Sequence, residues 1–154
     1  MTELSRRKLC RCARSRAERA LARVLDERTP RGAAEAAIEL PIAVQLPSLD
    51  VGIALARDVC AHLSPLRGTR PIGVRWEPAG AGPFPRFSGH LDVSADTNDS
   101  CWLDLRGSYE HPAPTLHLLD RAETALGHRI AVAIARRLLD ELCTAVEAAD
   151  ALTA

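Results

Sequence analysis

The chain has 154 residues, 47% of them hydrophobic, and its 20 basic and 20 acidic side chains cancel to a net charge of zero. That is enough apolar material for one core and little more, and no apolar run approaches the ~20 residues needed to cross a bilayer. The five cysteines are odd in number, scattered and mostly on expected apolar faces, which predicts reduced thiols and a cytoplasmic protein.

The charge is unevenly spread. Through Arg31 there are ten basic residues against four acidic ones, and the rest of the chain carries the compensating acid. Ser5-Arg6-Arg7-Lys8-Leu9 has the look of a twin-arginine export signal, but Cys10 to Arg16 is charged where an apolar stretch is required. The segment therefore predicts a basic helix with a thin apolar stripe of Leu9, Ala13, Ala20, Leu21, Val24 and Leu25. Such a helix can contact phosphates of nucleic acid or an anionic surface, or lie along the domain's own acidic side or stay solvated. The second reading is preferred because no aromatic residue is interleaved for base stacking, so a nucleic-acid partner is not expected. Thr29-Pro30-Arg31-Gly32 separates a helical extension, residues 1–31, from a domain spanning residues 40–150, and the extension is expected to be dispensable for folding.

Ile42, Val44 and Leu46 alternate with Ala43 and Gln45 between two prolines, predicting a short edge strand over 41–47. A helix capped by Ser48 or Asp50 and ended by Ser64-Pro65 is expected next, burying Leu49, Val59, Cys60 and Leu63. Three half-buried strands follow at 71–77, 85–95 and 101–110, joined by turn-rich connectors at 78–83 and 96–100 that suit loops longer than two residues.

Requiring the apolar residues of these strands to share a face sets their register, since a one-residue slip would turn a strand inside out. Three inner rows result: Ile72/Leu91/Leu105, Val74/Gly89/Gly107 and Trp76/Phe87/Tyr109. On the outer face Glu77, Arg86 and Glu110 then alternate in charge, which favours the same register. The 41–47 strand is expected on the free edge of the last one. After His111-Pro112-Ala113-Pro114, an apolar stripe from Leu119 through Ile130 and Ile134 to Leu142 predicts a helix over about 120–149 lying on the sheet.

Candidate chemistry is sparse. Cys10-x-Cys12 lacks the two-residue spacing of redox and zinc motifs. His90, Asp92, Asp104 and Arg106 share an outer strand face, where cross-strand ion pairs account for them better than a general base with an orienting carboxylate. His128, beside Arg129, reads as helix-surface packing. No phosphate-binding glycine loop, nucleophile elbow or clustered metal spacing occurs, so no cofactor, no metal and no catalytic residue is expected. The side-by-side Gly89 and Gly107 are different: either the helix presses close and the sheet bends, or a hollow opens there. Trp76, Phe87 and Tyr109 are three of five aromatics, and one row of them suits an apolar pocket mouth with a hydroxyl handle.

Strand, helix, antiparallel strands and long final helix, with Trp76-x-Pro78, Pro85-x-Phe87-x-Gly89, Leu103-x-Leu105-x-Gly107-x-Tyr109, and Asp120 leading to His128-Arg129-x-Ala131, resemble the helix-grip superfamily of START-like proteins and polyketide cyclases, the SRPBCC proteins. The resemblance covers roughly Leu40 to Ala149. It implies an α+β fold in which a curved antiparallel sheet wraps a long C-terminal helix around a hydrophobic cavity. Such domains usually have six or seven strands; four are expected here, a reduced helix-grip with an N-terminal helical extension. The leading expectation is a non-catalytic site for a small hydrophobic ligand between sheet and helix, at Val74, Trp76, Phe87, Gly89, Gly107, Tyr109 and Ile134. The alternative is a protein-interaction module with a filled core, its partner a second copy of the chain. A cyclase- or hydrolase-type enzyme comes third, because Tyr109 is the only polar group expected on the inner face.

Overall fold

The computed structural model describes residues 1–45, 54–64, 71–77, 84–111 and 120–153. These form β1 (Thr2–Cys10), α1 (Arg14–Glu27), β2 (Ala36–Gln45), β3 (Ala54–Leu63), β4 (Ile72–Glu77), β5 (Arg86–Thr97), β6 (Ser100–Glu110) and α2 (Asp120–Thr153). The strands make one antiparallel sheet of six in the order β1-β6-β5-β4-β3-β2.

The centre of the sheet has the expected register. Ile72 pairs with Leu91 and Leu91 with Leu105; Val74 with Gly89 and Gly89 with Gly107; Trp76 with Phe87 and Phe87 with Tyr109. Arg86 faces Glu110 on the outer side. The β5–β6 hairpin is tighter than expected: Thr97 pairs with Ser100, leaving only Asn98 and Asp99 to turn.

Three expectations are corrected. Residues 54–63 are a strand, not a helix; Val59, Ala61 and Leu63 are buried at every second position, so burial was anticipated but its period was not. The strand around residue 42 is longer, starting at Ala36, and lies against β3 at the far edge of the sheet instead of against β6. Pro41 falls within it, tolerable because β2 is an edge strand and Pro41 points outward. The free edge of β6 is taken by Thr2–Cys10, which pairs along its whole length from Thr2↔Tyr109 to Cys10↔Cys101. Thr2–Cys10 is therefore sheet, and the expected N-terminal helix is confined to α1. The predicted helix caps at Ser48 and Asp50, with Leu46 and Leu49, and the 78–83 connector fall outside the described residues.

The sheet curls around α2, which touches β1 at one edge, β2 at the other and β6 between them. Ile130, Ile134, Leu138 and Leu142 of α2 are fully buried. α1 packs on α2 and turns Ala17, Ala20, Leu21, Val24 and Leu25 inward. With Leu4 of β1, nearly all of these side chains belong to one continuous core. The basic N-terminal segment does lie against acid of the same chain: Lys8 meets Asp140 at 3.1 Å, Arg28 meets Glu141 at 3.6 Å and Arg16 meets Asp150 at 3.7 Å. Each such exposed pair contributes only ~0–1 kcal/mol, so apolar burial holds the segment in place.

Candidate functional site

The inner face of the sheet changes character along its length. Toward the hairpin between β5 and β6 it is aliphatic and sulfur-rich; at the opposite end it is aromatic and contains polar atoms. There Trp76 and Phe87 stack with ring centroids 4.1 Å apart and planes within 12°. Trp76, Phe87 and Tyr109 are at most 3% exposed, and Val74 and Ile134 are equally buried. All seven residues expected at the site are thus on or against the inner face.

The glycine pair is a close approach, not an open hollow. A β-carbon on Gly89 would stand 2.7 Å from both the Gly107 Cα and the Phe87 Cζ and would run into the Arg106 carbonyl. One on Gly107 would stand 2.6 Å from the Gly89 Cα and from the same Cζ, and would meet the Ser88 carbonyl. The two backbones need glycine here, and the edge of the Phe87 ring takes the space above them.

Beyond this pair the polar groups collect. The Tyr109 hydroxyl and His128 Nδ1 share a 2.7 Å hydrogen bond. His128 therefore belongs to the inner cluster through its ring nitrogen, although its side chain is otherwise exposed on α2. His111, two residues after Tyr109, packs edge-on to the phenol at 5.1 Å. Gly127 makes room for it, because a β-carbon there would collide with the imidazole. Both ring nitrogens of His111 are shielded from solvent without a hydrogen-bond partner, as is Trp76 Nε1. Burial lowers the pKa of His111, aided by the N-terminal ammonium and His128, and keeps the ring neutral. Burial likewise raises that of Tyr109. Neutral His111 offers one donor and one acceptor, both unused.

Sequence reasoning missed His111 and placed His128 on the surface. The signal was available: Tyr109 and His111 are i and i+2 in an extended run, so they share a face. On the outer face, Asp104 is held by Arg7 at 3.0 Å and by the Ser94 hydroxyl at 2.6 Å, while Arg7 also lies 4.2 Å above the Trp102 ring. The ion pairs expected among His90, Asp92, Asp104 and Arg106 are not made: the register sets His90 opposite Arg106 and Asp92 opposite Asp104, and the partner of Asp104 comes from β1. A separate cleft of about 420 Å³ opens along the β1 edge, with Arg6, Lys8, Arg136 and Asp140 in its wall. It exceeds the ~300 Å³ common to ligand sites, but its lining is charged, and inward-pointing charge on an edge strand also discourages pairing with other chains.

No protein-family model matches the sequence, and no curated protein does. Solved structures do match. The Zhui aromatase/cyclase from Streptomyces sp. R1128 superposes with a TM-score of 0.52 at 11% identity, covering 96% of this chain and 93% of that one. A START superfamily protein from Mycobacterium smegmatis gives 0.45 at 10% identity over 92% and 97% of the two chains. A protein from Thermus thermophilus gives 0.46 at 18% identity over 96% and 98%. The chain shares its fold with the aromatase/cyclase, the helix-grip: a curled antiparallel sheet closed by a C-terminal helix, with six strands where four were expected. No helix among the described residues is long and apolar enough to cross a membrane.

Proposed function

We propose that this protein binds a small, largely apolar molecule carrying one polar group, at the aromatic end of the space between sheet and α2. The observation that carries this is His111: two buried, unpaired ring nitrogens next to a Tyr109–His128 hydrogen bond, on an otherwise apolar face. Leaving a buried polar group unsatisfied costs ~1–3 kcal/mol, a cost that a hydroxyl or carbonyl on a ligand would offset. Trp76, Phe87 and Tyr109 supply flat apolar surface, and the fold is shared with an aromatase/cyclase. Of the residues expected from the sequence, Trp76, Phe87 and Tyr109 are the contacts proposed. Val74, Gly89, Gly107 and Ile134 shape the wall behind them. The role proposed is binding rather than a reaction.

The rival reading, an interaction module with a filled core, draws on the Phe87 edge closing the glycine row. Paired ligands separate the two. The unmodified protein should bind 1-naphthol more tightly than naphthalene, by the ~2- to 10-fold that one hydrogen bond of ~0.5–1.5 kcal/mol supplies. His111→Leu should erase that preference while retaining naphthalene. If neither compound binds a folded protein, the pocket reading fails and the interaction module replaces it.

A further inference from the structure

Far from the histidines, three cysteines that the sequence scatters are brought together where the end of β1 meets α2. Cys10 is the cross-strand partner of Cys101, and its sulfur lies beside that of Cys143. Cys143 Sγ also lies 3.5 Å from Glu147 Oε1 and 3.6 Å from the Leu9 carbonyl oxygen. Glu147 is one helical turn beyond Cys143 and therefore on the same face of α2. The donor atoms of Cys10, Cys143 and Glu147 all lie within 4.8 Å of one another. None of the three thiols is more than 4% exposed.

A buried cysteine by itself is well explained as a small apolar side chain. Packing does not explain why a half-buried carboxylate is held against two of these buried thiols at one point. One satisfying contact is present: the Arg11 backbone N–H donates to Glu147 Oε1 at 2.8 Å. That bond fixes the carboxylate in the way an outer-shell donor orients a metal ligand, and leaves its second oxygen free.

The geometry points to a site for a thiophilic divalent cation of the zinc type, held by the sulfurs of Cys10 and Cys143 and by the Glu147 carboxylate, with Cys101, the buried cross-strand partner of Cys10, as the fourth donor. Zinc takes four such donors tetrahedrally, with Zn–S near 2.3 Å, so sulfurs in a formed site stand about 3.8 Å apart. The donor atoms of Cys10, Cys143 and Glu147, within 4.8 Å of one another, need to close by no more than about an ångström to reach that spacing. Each thiol that coordinates gives its proton to solvent. Three thiolates and a carboxylate exceed the cation's charge by two, and Lys8, two residues before Cys10 on the same side of β1, stands near enough to offset part of it. With four protein ligands and no open position the site is structural, and its ligands come from β1, β6 and α2. A bound cation would tie the first strand of the chain to its last helix.

The test uses the full-length protein, kept reduced with a phosphine, stripped with a chelator and titrated with Cd²⁺. A cadmium–thiolate charge-transfer band should grow and saturate at one equivalent, Zn²⁺ should compete it away, and Zn²⁺ alone should raise the thermal midpoint. Cys60→Ser, in β3 and separated from this point by β4 and β5, should leave the titration unchanged. Cys10→Ala and Cys143→Ala should each lose most of the band. Glu147→Gln, close in size and checked for folding by circular dichroism, should keep a weaker one. Absence of a band at one equivalent in the folded, unmodified protein overturns the site, and so does a band that survives both alanine substitutions. A Cys10–Cys143 disulfide in protein isolated without reductant, with no Cd²⁺ uptake once reduced, overturns it in favour of a redox clamp.

Discussion

The two ends of the seam between the sheet and α2 solve the problem of buried polar atoms in opposite ways. At the thiol end Cys143 donates toward Glu147 and the Leu9 carbonyl, and Arg11 N–H in turn satisfies Glu147. At the aromatic end Tyr109 and His128 satisfy each other, but His111 and the Trp76 indole N–H do not find partners. Three of the four buried side-chain atoms without a partner among the described residues, His111 Nδ1 and Nε2 and Trp76 Nε1, are thus gathered at the aromatic end, the fourth being Arg6 Nε on β1. An unmet group inside a core is a standing cost, so the aromatic end is where a polar ligand atom would gain most. Between the two ends, Arg6 and Lys8 point inward from β1 and keep the sheet edge wet.

The comparison depends on both ends sharing one core, so the largest expected effect comes from removing the strand that links them. Deleting residues 1–31 removes β1 and α1 and with them the buried Leu4, Leu21, Val24 and Leu25. At ~1.5–3 kcal/mol for each large buried side chain, against a total stability of ~5–15 kcal/mol, the deletion should abolish cooperative unfolding. A truncated chain with a near-native thermal midpoint would show that residues 40–150 fold alone and that β1 is an accessory.

Next in size is the close approach at the middle of the sheet. Gly107→Ala places a methyl group against the Ser88 carbonyl and the Phe87 ring, and should cost at least the ~1–3 kcal/mol typical of overpacking. Phe87→Ala in the same protein should relieve only the ring contact and not the backbone one. A double-mutant cycle measured by urea unfolding therefore separates the two. Full tolerance of alanine at Gly107 would mean that the backbones can part there, reopening the hollow that Phe87 now fills.

How much of this was legible follows the position of each strand. β4, β5 and β6 have neighbours on both sides and one face in the core, so apolar and polar residues alternate and their register can be read directly. β1 could not be read that way, because Arg6 and Lys8 occupy inward positions between Leu4 and Cys10; at an edge, long charged side chains reach water past the strand. β3 was hidden differently. Ala54-Leu55-Ala56-Arg57 favours a helix locally, and Cys60 places an apolar residue on the outer side, so pairing with β2 and β4 overrode propensity. The aromatic row of the candidate site was visible in the strand pattern. The histidines were not, because His128 comes from α2, and its meeting with Tyr109 depends on where that helix crosses the sheet.

A smaller effect tests whether the polar end is a unit. Tyr109→Phe removes the hydroxyl and leaves the ring, so packing against Phe87 and His111 survives while the His128 hydrogen bond is lost. Because His128 is exposed enough to bond water instead, the expected cost is ~0.5–1.5 kcal/mol. A loss of several kcal/mol in urea unfolding would mean that the hydroxyl does more than pair with His128.

The smallest effect is a dependence on pH, and its sign follows from burial. His111 titrates below the ordinary 6.5 in the folded protein, chiefly because burial disfavours its charged form. In the unfolded chain it titrates near 6.5, so in the interval between the two values the unfolded state holds more protons than the folded one. Stability contributed by keeping His111 neutral is therefore complete above pH 6.5 and is lost as pH falls through the folded value. Urea unfolding at pH 7.5 and 5.0 should show lower stability in acid, and His111→Gln, which does not titrate, should flatten that difference. Carboxylates protonating on the same descent are common to both proteins and cancel in the comparison. If the glutamine variant loses as much stability in acid as the unmodified protein, His111 is not held neutral. The imbalance between the two ends of the seam would then lie in Trp76 alone.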